Sequence, residues 1–217
     1  MPYRAVIFDL DGVVCSTDEH HYRAWKSIAD ELGIDFNPQV NNRLRGLARM
    51  DSLEVILEGY RGIMTLADKQ YWADRKNTLY IQYLQDLSSD DIFPDFPSTL
   101  AHLQHKGIQT AIASSSQNAR FILTRLGLAN AFDAVVDGTD IGRAKPDPEV
   151  FLKAAELLGV EPRFCLVVED SQSGLQAAIA ANMDCAAIGD GINYGIATYD
   201  LSTISDLLKI EGLGSRD

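Results

Sequence analysis

The chain is short of cysteine, of basic charge and of long apolar runs, and each shortage removes a class of protein. Its three cysteines, Cys15, Cys165 and Cys185, lie in apolar or strand-like surroundings without CxxC spacing. They read as buried, reduced thiols, which points to a reducing, cytoplasmic setting and away from a disulfide scaffold. There are 19 Lys and Arg against 31 Asp and Glu, a formal net charge of −12. Nucleic acid needs a basic face and an anionic membrane a basic cluster, so neither partner is expected. The same repulsion favours a monomer. No apolar stretch reaches spanning length. The opening MPYRAVIFDLDG has one Arg before a short apolar run broken by two aspartates, unlike a signal peptide. Internal repeats, low-complexity tracts and a Walker-type nucleotide motif are missing too, and Gly189 to Gly195 reads as a loop.

What is there is enough for a large core. In 217 residues, 46% are hydrophobic and 23% charged, close to the globular average. Short runs of strand formers at 4–8, 108–113, 133–136, 164–168 and 184–188 alternate with helix-period segments at 96–105, 117–127, 147–158 and 171–182. That alternation predicts an α/β fold, a Rossmann-like parallel sheet with helices on both faces. Residues 16–88 break it, reading as helices at 18–32, 40–46, 50–61 and 65–87. The expected organisation is therefore a core of residues 1–15 and 89–217 with a small all-helical cap, 16–88, inserted after the first strand. The cap holds 9 basic and 11 acidic residues and the core 10 and 20. Arg43, Arg45 and Arg49 cluster in the cap, as a solvated face or an anion clamp. Residues 212–217 are expected to fray.

Four loops carry candidate chemistry. Asp9-Leu10-Asp11-Gly12 follows the first strand, and residues i and i+2 of extended chain share a face, so both carboxylates meet at the carboxyl edge of the sheet. Two carboxylates without His or Cys call for a hard cation such as Mg²⁺, although DxDG alone is more often a solvated turn. Glu169-Asp170 follows the strand FCLVV and would complete such a site beside Asp9. Ser114-Ser115-Ser116-Gln117-Asn118 places hydroxyls and N–H groups before a helix, an anion cradle. Lys145 in KPDP supplies a cation at another helix entrance. A nucleophile, hydroxyls, a cation and a metal carboxylate together suit phosphoryl transfer. Asp9 would attack phosphorus, Asp11 would act as acid and base, and Lys145 and Mg²⁺ would offset charge.

These motifs, DLDGV at 9–13, Ser114, Lys145 and EDS at 169–171, resemble the haloacid dehalogenase superfamily in order and spacing along the chain. Within it, HYRAW at 21–25, LRGLARMDSL at 44–53, RKN at 75–77 and ASSSQN at 113–118 resemble the β-phosphoglucomutase family. That resemblance implies interconversion of β-glucose 1-phosphate and glucose 6-phosphate through bound β-glucose 1,6-bisphosphate. It implies Mg²⁺ on Asp9, Asp170 and the main-chain carbonyl of Asp11, with Glu169 close by. Ser114 and Lys145, with Ser115 adjacent, would hold the transferring phosphoryl group. Arg49, Ser116 and Asn118, with Arg45 nearby, would hold the other phosphate. His21, Trp25, Gly46 and Lys76 would meet substrate from the cap, as would Thr17 at the hinge.

Each assignment has a plainer reading. His21 and Trp25 also suit a cap core, and an isolated lysine is usually surface. Gln117 stands where the family generally has Lys, Arg45 where it has Lys, and Ala48 where it has a hydroxyl. A weaker hold on the second phosphate is expected. A phosphatase of the same fold is the alternative, and a non-enzymatic binder is disfavoured by the intact Asp9, Asp11, Lys145 and Asp170.

Overall fold

Apolar runs without polar alternation fold as strands where both faces are covered. The computed structural model, which describes residues 3–44 and 47–214, has that arrangement. Six parallel strands, β1 (Ala5–Phe8), β2 (Gln109–Ala113), β3 (Ala134–Val136), β4 (Cys165–Glu169), β5 (Asp184–Ile188) and β6 (Tyr199–Leu201), lie in the order β3-β2-β1-β4-β5-β6. Ile7 pairs with Ala111 on one side and Val167 on the other. Alternate residues serve opposite faces: Val6, Phe8, Ile112 and Val168 enter one apolar layer, and Ala5, Ile7, Ala111 and Val167 the other.

After β1 the chain runs through α1 (Asp18–Glu31), α2 (Pro38–Asn42), α3 (Arg49–Leu57) and α4 (Leu66–Tyr83). Trp25, Ile28, Phe36, Leu53, Ile56 and Ala73 gather there in an apolar cluster of their own. Thr65 opens α4 with a capping box to Asp68. The buried face of α4 is Ala73, Lys76 and Tyr80, at helical spacing but with a charge in the middle. Further along, α5 (Phe96–His105) and α6 (Ala119–Arg125) pack on the Phe8 face, while α7 (Glu149–Leu158) and α8 (Gln172–Ala180) cover the Ile7 face. The α/β architecture is the one the sequence predicts. Strand order reverses across β1 and β4, which puts the ligand crevice of such sheets at their carboxyl ends.

Three details differ from the sequence reading. The edge strand β6 was not expected, because its three residues carry Asp200 at the centre and give no periodic signal. The segment from 212 is not wholly frayed: Leu213 is fully buried, and Gly214 O accepts from Lys106 Nζ at 2.9 Å. Gly189–Tyr194 is a 3₁₀ turn rather than a loop, with Gly191 packed against the backbone of Glu169 and Asp170. All three cysteines are free and buried. Among the described residues, no helix is long and apolar enough to cross a membrane.

Candidate active site

The end of β1 aims its residues as extended chain requires. Leu10 is fully buried, whereas Asp9 and Asp11 line one cleft of about 460 Å³. The chain then turns at Gly12, with φ +80°, where an added Cβ would lie 2.2 Å from Asp170 Oδ2. Only glycine allows both the left-handed backbone and the approach of the Asp170 carboxylate just past β4. Asp9, Glu169 and Asp170 each offer an oxygen within 4.8 Å of the others. An all-oxygen set of three carboxylates suits a hard divalent cation, so these residues fit Mg²⁺.

Lys145, only 4% exposed, sits between two of these carboxylates. Its Nζ donates to Asp9 Oδ1 at 2.5 Å and to Glu169 Oε1 at 2.6 Å. The other Glu169 oxygen accepts from Ser171 N at 2.8 Å and Ser171 Oγ at 2.9 Å. Burial opposes the Lys145 charge, yet Asp9 and Glu169 raise its pKa well above the usual lysine range. Burial pushes Asp9 up to about 7, with Lys145 pulling the other way. Three carboxylates and one ammonium leave an excess of negative charge that a divalent ion would neutralise. Glu169 has room because α8 carries Gly174, where a Cβ would stand 1.8 Å from Glu169 Oε1. Gly174→Ala is therefore expected to displace that carboxylate and destabilise the fold by about 1–3 kcal/mol, as in overpacked cores. A urea midpoint equal to wild type would contradict it.

The serine turn after β2 is internally bonded. Ser116 N donates to Ser114 Oγ at 3.1 Å and Asn118 N to Ser116 Oγ at 3.2 Å. Ser115 Oγ accepts from Lys145 N at 3.4 Å. Helix α6 spans seven residues, shorter than expected, so hydroxyls and local N–H groups rather than a long helix dipole define this wall.

The opposite wall comes from α1, α3 and α4. Arg49 Nη2 donates to Gln117 Oε1 at 3.0 Å, and Asn118 Nδ2 to Asn77 Oδ1 at 2.8 Å, so two adjacent residues at the far end of this turn reach across the cleft. Trp25 is buried in the helical cluster and lines the cleft as well, with Lys76 Nζ 5.1 Å from its ring centroid. His21 Nε2 is 3.9 Å from Asp11 Oδ2, and His21 Nδ1 is 2.9 Å from Lys76 Nζ. Burial lowers the pKa of both, with Lys76 falling to about 7. Thr17 differs from the expectation that it meets substrate: it is fully buried, does not cap α1, and turns its hydroxyl and N–H to Asp11 Oδ1. Arg45 and Gly46 lie outside the described residues. Sequence reasoning missed Tyr80, whose OH is 2.8 Å from Thr17 Oγ1. Its position four residues after Lys76, hence on the same helix face, was the available signal.

Lys76 also makes a pH prediction. A base whose pKa falls from 10.5 to about 7 on folding is neutral in the native state above pH 7 while the unfolded chain remains protonated. Stability must then rise with pH through and above 7. Between pH 7 and 8.5 the Tm gain of wild type should flatten in Lys76→Met. An unchanged slope would show that Lys76 stays charged.

Comparison with known proteins gives the family. The family model described as haloacid dehalogenase-like hydrolase matches residues 3–182, and the chain belongs to that family. Its fold is that of an enzyme in that group. More particularly, it is 42% identical over 190 residues to a β-phosphoglucomutase of Bacillus subtilis (strain 168), covering 87% of this chain and 84% of that one. It is 30% identical over 211 residues to a phosphorylated carbohydrates phosphatase of Thermotoga maritima, covering 95% and 94%. The crystal structure of β-phosphoglucomutase from Clostridium difficile superposes with a TM-score of 0.89 at 34% identity, covering 94% and 93%.

Proposed function

We propose that the chain is a Mg²⁺-dependent phosphosugar mutase that interconverts β-glucose 1-phosphate and glucose 6-phosphate through β-glucose 1,6-bisphosphate. The observation that carries this reading is the presence of two anion-receptive ends on one cleft. Lys145 bonds Asp9, Ser114 lines the same cleft, and Arg49 faces the Ser116–Asn118 turn. A bisphosphate has to be held at both ends and turned around, whereas a monophosphate hydrolase needs one end.

In the proposed reaction an Asp9 oxygen attacks phosphorus, the bond from phosphorus to the sugar oxygen breaks, and an aspartyl phosphate forms. Asp11 gives a proton to the departing oxygen and later takes one from the accepting hydroxyl. Burial holds Asp11 at about 6, opposed by Thr17, a value suited to carrying a proton in both directions near neutrality. Lys145 and Ser114 hold the transferring group, with Ser115 beside them. Arg49, Ser116 and Asn118 hold the distal phosphate, the guanidinium gripping it as a fork. Asp9, Asp170 and the carbonyl of Asp11 would hold Mg²⁺, which offsets charge on the transferring group when bound. The same reading takes residues 16–88 as a cap over the core of 1–15 and 89–217, in a cytoplasmic monomer acting on small sugar phosphates.

One observation favours a sugar-phosphate phosphatase instead. Gln117 is neutral and its oxygen already occupies Arg49, so the distal end carries less positive charge. The test mixes protein, Mg²⁺, β-glucose 1-phosphate and a trace of the bisphosphate. Glucose 6-phosphate without net inorganic phosphate is the expected result, and stoichiometric phosphate release would sink the mutase reading.

A further inference from the structure

The acid and base of the proposed reaction has to keep one oxygen on the sugar hydroxyl while a neighbouring group fixes the rest of the carboxyl. The geometry points to Tyr80 as the residue that does the fixing, a positioning residue acting on Asp11 through Thr17. This rests on the role proposed above for Asp11.

Tyr80 lies on α4 and is fully buried, and it does not line the cleft. Thr17 has a single hydroxyl hydrogen, and Asp11 Oδ1 takes it. A carboxylate oxygen can only accept, so Thr17 Oγ1 must itself accept from its other partner, Tyr80 OH at 2.8 Å. While Asp11 is ionised the order of donation is therefore Tyr80 to Thr17, and Thr17 to Asp11. Thr17 N adds a second donor to the same Asp11 oxygen at 3.1 Å. With Oδ1 held twice, the His21 side of the carboxyl is Oδ2, which leaves that oxygen for the cleft. The phenol ring also floors the other two groups. The His21 ring centroid is 4.0 Å from it, and Lys76 Nζ lies 4.2 Å from its centroid. Phenylalanine would fill the same space without a hydroxyl to satisfy, so packing alone gives no reason for tyrosine here.

The test uses Tyr80→Phe in full-length protein with Mg²⁺ and two phosphoryl donors. β-Glucose 1-phosphate leaves an alcohol oxygen that needs Asp11's proton, whereas acetyl phosphate leaves acetate, which needs none. Transfer to Asp9 from acetyl phosphate, read as phosphoprotein formation, should match wild type. Turnover of the sugar phosphate should lose roughly 10- to 100-fold in kcat with KM unchanged, as expected for a misaimed proton donor. Thr17→Val should reproduce that split, and the double variant should be no worse than Thr17→Val alone, because one relay is broken once. An unchanged kcat, equal loss with both donors, or losses that multiply in the double variant would overturn the inference. Wild type separates it from the reading of function. If wild type releases phosphate stoichiometrically, the mutase proposal fails, yet the same split between donors, read on the rate of phosphoprotein formation, still decides the role of Tyr80.

Discussion

Asp9→Asn is expected to abolish the phosphoprotein and to lower turnover by roughly four to six orders of magnitude, the scale on which losing a covalent nucleophile falls. The substitution keeps shape and one acceptor oxygen, so Lys145 retains a partner at that position and its bond to Glu169. Folding should not suffer. Asp9 has a pKa of about 7 in the folded chain against 3.8 ordinarily. An acid raised in this way contributes stability that is present below pH 3.8 and is lost as pH rises through 7. Without divalent metal at pH 8, the asparagine variant should therefore unfold no earlier than wild type. The readouts are intact mass after incubation with acetyl phosphate and Mg²⁺, and Tm at pH 8. A variant that still acquires a phosphoryl group would move the nucleophile elsewhere, and the other buried carboxylate bonded to Lys145, Glu169, would be the first place to look.

The features that organise this site differ in how far the sequence reveals them. β1 and β4 are legible because both faces of each strand are buried, which writes an unbroken apolar run into the chain. Asp9 and Asp170 follow from strand ends and the alternation of extended chain. The Lys145–Glu169 pair is different: the partners are 24 residues apart, and neither neighbourhood encodes the other's place. Glu169 therefore reads as a metal carboxylate from sequence, and only the fold reveals that both its oxygens are already engaged. Gln117 is similar. As a residue type it marks a missing charge, but that its oxygen holds Arg49 depends on how α3 lies over the serine turn. Tyr80 escaped because a tyrosine on an amphipathic helix is ordinary core, and the bond of its hydroxyl to Thr17 joins residues 63 apart in the chain.

Asp11→Ala gives the second large effect and the more diagnostic one. Removing the acid and base should slow transfer between sugar and Asp9 by about 10²–10⁴-fold. The proposed metal carboxylates Asp9 and Asp170 remain, with Glu169 beside them, as does the main-chain carbonyl at position 11, so Mg²⁺ binding should be nearly intact. Transfer from acetyl phosphate should also survive, because acetate leaves without a proton. The result would be a phosphoprotein that forms but cannot hand its phosphoryl group to a sugar hydroxyl. Adding Tyr80→Phe to this variant should cause no further loss, since the relay then has nothing to aim, and residues acting as one unit are not additive. Calorimetric Mg²⁺ titration, the acetyl phosphate half-reaction and glucose 6-phosphate formation check the three parts separately. A variant that still cycles the sugar would remove Asp11 from the chemistry. His21, 3.9 Å away and bonded to Lys76, is the titratable group that would then have to carry the proton.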